Sequence, residues 1–332
     1  MIRQLLLLTL SALVVHGVQA NCTLAPESPQ PHIFNIPAKT IIIDVRAPAD
    51  TSSAIDTEYT SPQGSDIKYD NCVQGEAYGK SSLNIGTQDA STQIFPTSID
   101  GIGVRITWNN GTSFGTGVLP DPRTMDFTPD PQGSWVYPGS SYFRVQFFKT
   151  KSKLSLSDPE GQEVLPAEEI AYNWVTADSP ANFGQQLDIG QIKLISTPSC
   201  SYEYSKVIDF NEVSSRSLST TIERDLSFSL TCSTDYGFYS ATASITADDR
   251  SADGAFIKVK DAAGKSDLMG IKIRNDDGAD IKVDGTSVEE VANVASDAPA
   301  EFNWKAVLFP TGTVHPTNGD FTAHAEILLQ LK

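Results

Sequence analysis

GDFTAHAEILLQLK, residues 319–332, is the stretch of this sequence that predicts most about its fold. Apolar side chains occupy every second position, at Phe321, Ala323, Ala325, Ile327, Leu329 and Leu331, and the positions between them are polar except at Leu328. Strict alternation of this length indicates a half-buried β-strand. No strand follows it, so it is either an ordinary edge strand or the rim of a sheet that another polypeptide completes.

The rest of the chain also predicts β-structure. Short alternating runs at 40–45, 102–108, 142–148, 170–175, 185–195, 226–232, 269–273 and 302–308 are separated by clusters of Gly, Pro, Asn and Asp. Hairpin turns are predicted at 109–111 and 275–278. No long stretch has helical periodicity. We therefore expect an all-β protein of two sandwich domains, residues 21–195 and 196–332, joined near Ser196.

The first twenty residues predict a secretory leader. Arg3 supplies a positive charge, residues 5–15 form an apolar run, and Val18-Gln19-Ala20 resembles the small-residue cleavage site of a secretory leader. We expect cleavage before Asn21 and export of the mature chain. The apolar run is too short to span a bilayer as a helix.

The charge balance argues against a nucleic-acid partner. The whole chain has a net charge of −17, and loss of Arg3 with the leader leaves 23 basic against 41 acidic residues, or −18. Such a surface repels nucleic acid and anionic membranes.

Four cysteines, Cys22, Cys72, Cys200 and Cys232, predict disulfides in an exported chain. Three pairings are possible, and the gaps between them favour Cys22–Cys72 and Cys200–Cys232, one in each half. The cysteine spacing does not suit zinc, and the histidines are scattered. We expect no metal, no cofactor and no enzymatic activity, since no nucleophile elbow or ligand cluster is present.

The second half resembles a chaperone–usher pilin domain over about residues 200–332. Four features carry the resemblance: the Cys200/Cys232 spacing, the run Tyr236-Gly237-Phe238-Tyr239, the strand and turn at 269–278, and the glycine fourteen residues from the end that begins the alternating stretch. At the penultimate position, where the family usually has an aromatic residue, this chain has Leu331.

The resemblance implies an immunoglobulin-like sandwich that lacks its seventh strand. A periplasmic chaperone would lend a strand during export through an outer-membrane usher, and the N-terminal extension of the next pilus subunit would replace it. This donor strand would lie in a groove lined by the six alternating apolar residues of 319–332.

The resemblance also implies a position in the fibre. The expected mature chain reaches Cys22 at its second residue, which leaves no extension to donate, and a whole domain precedes the pilin domain. This is the layout of a two-domain fimbrial tip adhesin, exported to the periplasm and then displayed at the cell surface, with a lectin-like receptor-binding domain first.

Aromatic and amide side chains of the first half are candidates for a glycan site, because sugar sites combine flat rings with hydrogen-bonding groups. The candidates are Trp108, Asn109, Asn110, Trp135 and Tyr137. Each has an alternative interpretation: the aromatic residues as sandwich core, and Asn109-Asn110-Gly111 as a turn. Two further alternatives concern the whole protein: a host protein ligand from the extracellular matrix, or a structural fibre cap without a receptor.

Overall fold

The computed structural model describes residues 22–111, 117–126, 133–214, 218 and 220–332. Regular structure in this part consists of β-strands and a short 3-10 turn, Pro180–Asn182. The all-β prediction is thus confirmed. The predicted leader, residues 1–20, lies outside the described residues.

The strands that precede Pro198 form what we call the first body. They are β1 (Thr23–Leu24), β2 (His32–Ile36), β3 (Lys39–Asp44), β4 (Asp56–Tyr59), β5 (Ile67–Asp70), β6 (Ala77–Ser82), β7 (Phe95–Pro96), β8 (Ile102–Asn109), β9 (Arg123–Thr124), β10 (Trp135–Tyr137), β11 (Tyr142–Lys149), β12 (Gln162–Leu165), β13 (Glu168–Val175), β14 (Phe183–Ile189) and β15 (Ile192–Thr197). They form sheets in the orders β1-β5-β10, β4-β11-β8-β7, β12-β15-β3 and β2-β14-β13-β6-β9.

The core of the first body lies between the sheet that contains β8 and β11 and the two sheets that contain β13, β14 and β15. β8 and β11 are antiparallel, with Val104 opposite Phe147 and Ile106 opposite Val145, and all four side chains are buried. This is the alternation predicted for 102–108 and 142–148. A disulfide joins Cys22 to Cys72 at the edge of this body.

The strands that follow Pro198 form the second body. They are β16 (Ser199–Tyr202), β17 (Ile222–Asp225), β18 (Phe228–Ser233), β19 (Phe238–Thr246), β20 (Ile257–Val259), β21 (Met269–Arg274), β22 (Asp280–Ile281), β23 (Glu289–Ala295), β24 (Pro299–Phe302), β25 (Lys305–Pro310) and β26 (Glu326–Leu331). The sheets are β16-β18-β24, β17-β25-β21-β20 with β22 on β21, and β23-β19-β26. A disulfide joins Cys200 to Cys232.

Two predicted strands are each divided into two strands that belong to different sheets. The run 185–195 breaks around Gly190, between β14 and β15, and the run 302–308 breaks at Asn303 and Trp304, between β24 and β25. A side chain at Gly190 would place its Cβ 2.3 Å from the backbone nitrogen of Ala38, so only glycine fits this crossing. The alternating residues of 302–308 are buried as predicted, at Phe302, Trp304, Ala306 and Leu308, but both breaks were missed.

The terminal stretch is a strand over fewer residues than predicted. Only Glu326–Leu331 forms β26, which pairs with β19. Upstream, Thr322 forms a bridge to Lys260, which follows β20 in the other layer. The alternation of 319–332 therefore spans two sheets, because the chain crosses from one layer to the other between Thr322 and Glu326.

A polar joint connects the two bodies. Asp235, which follows β18, is buried, and its carboxylate accepts hydrogen bonds from the Leu154 N–H at 3.0 Å and from the Ser196 hydroxyl at 2.6 Å. The Ser196 N–H donates to the Tyr236 hydroxyl at 3.1 Å. An exposed ion pair also joins Lys153, the residue before Leu154, to Asp297 of the second body. The strand β15 runs through the expected boundary at 195/196, and sheet membership changes at Pro198.

Candidate functional site

The second body contains an open cavity of about 920 Å³ within its apolar core. Its walls are inward-facing side chains of both layers: Leu226, Phe228, Leu230, Ile245, Ile257, Ile271, Ile273 and Ala306. Protein cores are packed at crystal-like density, with few voids larger than a water molecule. A cavity of this size and apolar character is therefore a place where a further polypeptide segment or ligand fits.

One rim of the cavity is the terminal segment. All six residues predicted to line a groove contribute to its wall: Phe321, Ala323, Ala325, Ile327, Leu329 and Leu331. Phe321, Ala323, Ile327 and Leu329 also pack against the buried core. β26 pairs with β19 on one side, and in the described residues its other side has no strand partner.

The opposite rim was not predicted from the sequence. Cys200 and Tyr202 of β16, together with residues 203–208, line the cavity from this side. Tyr204 is 88% exposed and Val207 is 90% exposed. Large apolar side chains this exposed, beside an apolar cavity, mark a binding surface. The sequence signal was the pair Tyr202 and Tyr204 directly after the cysteine that opens the body.

In the first body, three of the five predicted ligand-binding residues form one aromatic cluster. The Tyr137 ring lies 6.1 Å from Trp108 and 6.4 Å from Trp135, both edge to face. The pairing of β10 with β5 brings Tyr69 to the same cluster, and the Tyr78 ring of β6 lies 4.5 Å from Trp135 in a tilted arrangement. The cluster surrounds the Cys22–Cys72 disulfide.

Within this cluster the rings differ in their access to a ligand. Tyr137 is buried, its hydroxyl donates to the Trp174 carbonyl at 3.2 Å, and burial raises its pKa well above the ordinary value. Trp108, Trp135 and Tyr78 are half-buried. A ligand can therefore reach part of the Tyr78–Trp135 pair, whereas Tyr137 supports it from beneath.

A charged group borders the aromatic cluster. Lys80 lies 5.3 Å above the Trp108 ring, and its ammonium contacts the Asp121 carboxylate at 2.9 Å. The Arg123 side chain donates to both oxygens of Asp121 at 2.9 and 3.0 Å. Burial alone would raise the pKa of Asp121, but the hydrogen bonds from Arg123 and Lys80 outweigh it and lower that pKa. The carboxylate thus stays ionised between two cations. No sequence pattern indicated this group.

The two asparagines do not join the aromatic cluster. Asn109 is 1% exposed, and its side-chain oxygen accepts the Gly111 N–H at 2.6 Å. The Asn110 carbonyl accepts the Ser140 hydroxyl at 2.7 Å. Instead of a tight hairpin at 109–111, the Trp108 N–H donates to the Gly117 carbonyl across a longer loop. Within the described residues, the role seen for Asn109 is to shape that loop.

Other kinds of site find little support in the part of the chain that the structure describes. No group of three His, Cys, Asp or Glu side chains is placed to hold a metal ion within the described ranges. No helix there is long and apolar enough to cross a membrane.

Comparison with known proteins gives a family match over the second body and the last strand of the first. Residues 190–332 match the family model described as Fimbrial protein. No curated protein matches the sequence significantly. The match confirms the resemblance to fimbrial subunits inferred from the cysteine spacing and the terminal alternation. Proteins of this family are structural and adhesive, not enzymatic.

Several solved structures are similar to the chain at low identity. The CsuC–CsuE chaperone–tip adhesion subunit complex of Acinetobacter baumannii shares 12% identity over 90% of this chain and 99% of that chain, with a TM-score of 0.43. The CupB6 tip adhesin of Pseudomonas aeruginosa shares 14%, over 94% of each, with a TM-score of 0.36. The receptor-binding domain of the MrkD1P adhesin of Klebsiella pneumoniae shares 17% identity over 54% of this chain and 97% of that domain, with a TM-score of 0.37.

Proposed function

We propose that the chain is a fimbrial tip adhesin of the chaperone–usher type, because residues 190–332 match the family model described as Fimbrial protein. Its second body joins the pilus by accepting a donor strand, and its first body binds a host-surface glycan. The observation that carries the proposal is the open apolar cavity between β26 and residues 200–208, within the part that matches the family.

An extended strand is the occupant that suits this cavity. The free side of β26 offers backbone groups for a strand ladder, and the apolar wall offers space for alternate side chains. Strand addition to a sheet edge uses these two elements, and chaperone–pilin complementation is an established example of it. The chain would be held by a periplasmic chaperone, pass an outer-membrane usher, and receive the N-terminal extension of the next subunit at the cell surface. Together these steps would also cover an edge otherwise prone to aggregation.

The tip position is supported by the residues just before Cys200. In a shaft subunit this stretch would extend as the donor strand. Here β14 and β15 occupy it, and both are built into the first body by parallel pairing with β2 and β3. A segment held in two sheets cannot serve as the donor strand in the groove of a neighbouring subunit. In this proposal the chain therefore only accepts a strand, and its first body faces away from the pilus.

The receptor class is a further part of the proposal. The half-exposed Tyr78–Trp135 pair and the Lys80–Asp121–Arg123 group lie beside one another, which provides both flat rings and charged hydrogen-bonding groups. Binding of residues 21–197 to a glycan array, measured beside immobilised matrix proteins, tests this class. If residues 21–197 bind no glycan on the array but bind matrix proteins strongly, the receptor is a protein and the glycan proposal is wrong. Binding to neither, with fibres assembled normally, would indicate a structural cap.

Replacing Trp135 by alanine should weaken receptor binding by at least about tenfold, because large aromatic anchors commonly account for more than 1–2 kcal/mol of binding energy. The measurement is the Kd for the best ligand found on the array or the matrix surface. Ile42→Ala is the matched control, since Ile42 is 66% exposed on β3, outside the aromatic cluster. An equal loss of affinity in both variants, or no loss in Trp135→Ala, would show that the receptor does not bind at this cluster.

A further inference from the structure

One residue on the rim of the second body's cavity breaks the pattern of the terminal strand. Leu328 is the apolar exception among the alternate positions that are otherwise polar, and it lies on β26 between the exposed Glu326 and Gln330. It is 48% exposed. Neighbours on a strand point to opposite faces, so Leu328 faces outward while Ile327 and Leu329 pack against the core. Filling the cavity does not by itself require an apolar side chain at this position.

The outward face around Leu328 offers it little apolar contact within the described residues. Leu328 lies opposite Ser244 on β19, and the residues opposite Glu326 and Gln330 are both threonines. On its other side, β26 has no strand partner in the described part of the chain. The free edge of β26 is therefore where a large apolar neighbour for Leu328 can be supplied.

The opposite rim of the cavity is also apolar on its exposed side. Ile208 packs against the core, whereas its neighbour Val207 is 90% exposed. Five of the eight exposed large apolar side chains among the described residues of this body line the cavity: Tyr202, Tyr204, Val207, Leu328 and Leu331. Single exposed apolar residues are ordinary, but a group of them around one opening marks a binding surface.

We infer that the segment accepted from the next pilus subunit is apolar on both of its faces at the position beside Leu328. The inference rests on the proposed strand acceptance, which itself requires apolar residues only on the face toward the cavity. In addition, one outward side chain of the segment is a large aliphatic residue that packs on Leu328 across the new ladder. In an antiparallel pair, directly opposite side chains have Cβ atoms about 4.5–5.5 Å apart, which is close enough for this contact.

This contact gives the partner a recognisable chemistry. Its N-terminal extension would contain three consecutive apolar residues, of which the outer two face the cavity and the middle one faces outward. Any segment that fills the cavity needs the inward residues, so they distinguish poorly between subunits. The outward contact with Leu328 is a difference in affinity that a subunit with a polar residue there would lack.

The test is a competition between two synthetic peptides for the full mature chain. The parent peptide has valine at every inward position and serine at every outward position, and each rival carries isoleucine in place of one outward serine. The chain, with its disulfides intact, is refolded from urea in an equal excess of both peptides until the ratio of bound peptides is constant, and mass spectrometry measures this ratio. We expect one rival to be enriched about fivefold, because a cross-strand apolar pair contributes up to about 1 kcal/mol.

Leu328→Thr removes the contact but keeps a β-branched residue that suits a strand. This variant should capture the parent peptide as the natural chain does, and its preference for the rival should fall below about twofold. Val288→Thr is the matched control and should keep the full preference, because Val288 is 62% exposed and lies outside the cavity wall.

Three results would overturn the inference while leaving strand acceptance intact. The first is capture of all peptides without a preferred rival, and the second is an equal preference in Leu328→Thr and the natural chain. The third is poor capture of the parent peptide by Leu328→Thr, which would place the Leu328 side chain in the cavity wall. Failure of the natural chain to capture any of the peptides would instead contradict the proposed strand acceptance, and the inference would fall with it.

Discussion

Replacing Leu329 by aspartate is expected to prevent the second body from accepting a donor strand. Leu329 lies opposite Ala243 on β19, packs against the core and lines the cavity. An incoming strand would bury the new carboxylate in an apolar wall without a partner, which costs several kcal/mol, and the leucine contacts would be lost as well. At 1.4 kcal/mol for each factor of ten, binding should weaken by more than about 100-fold.

The measurement uses residues 196–332 with a synthetic peptide whose alternating apolar residues follow the pattern of a subunit extension. We expect the wild-type fragment to aggregate alone and to become a stable monomer with the peptide, and the Leu329→Asp fragment to show no rescue. Gln330→Asp is the control, because it adds the same charge on the same strand at an exposed position outside the cavity wall. A wild-type fragment that folds unaided would refute the proposal of an incomplete sandwich.

Removal of the Asp235 side chain should destabilise the first body even though Asp235 belongs to the second. Asp235→Ala leaves the Leu154 N–H and the Ser196 hydroxyl without their acceptor at a buried joint. Each unsatisfied donor costs about 1–3 kcal/mol, so the total should be roughly 3 kcal/mol. For a body of this size, that lowers the Tm of its unfolding transition by about 6–12 °C.

Calorimetry of the full mature chain checks this expectation, since it resolves separate transitions in a protein of several domains. Lys153→Ala is the comparison at the same joint. It removes the ion pair between Lys153 and Asp297. Both side chains are well exposed, and an exposed ion pair contributes less than about 1 kcal/mol to the free energy of unfolding. Similar shifts in the two variants would mean that the buried hydrogen bonds of Asp235 do not connect the bodies.

Sequence alternation predicted which faces are buried far better than which sheet buries them. The runs containing Ile106 and Val145 were expected to be strands, and they pair directly. The hairpin at 275–278 was expected, and Ile273 does face Ile281 across it. The crossing at Gly190 was missed, because an alternating pattern continues unchanged when a strand leaves one layer and enters another. The parallel pairing of β2 with β14 joins residues about 150 positions apart, which local patterns do not record.

The candidate sites, too, could be predicted only where a local sequence pattern marks their residues. The terminal alternation predicted one rim of the cavity, whereas residues 202–208 lack a regular pattern and were not predicted. Trp108, Trp135 and Tyr137 were grouped from composition; Trp135 and Tyr137 share β10, and the fold places the Trp108 ring of β8 6.1 Å from Tyr137. Lys80 and Asp121 meet from distant positions in the sequence, so their ion pair could be seen only once the sheets were known.

The way in which β15 leaves the first body has a mechanical consequence. β15 lies parallel to β3 over six residue pairs, and the chain continues from its end into the second body. At the exit, the Thr197 carbonyl accepts the Val45 N–H at 3.0 Å, and the Thr197 hydroxyl donates to the Ile43 carbonyl at 3.0 Å. In the proposed function, tension between receptor and pilus would reach the first body through Thr197, and its component along the strand would pull β15 past β3. The ladder would then be loaded in shear, with all its hydrogen bonds resisting together, whereas peeling would break them one at a time.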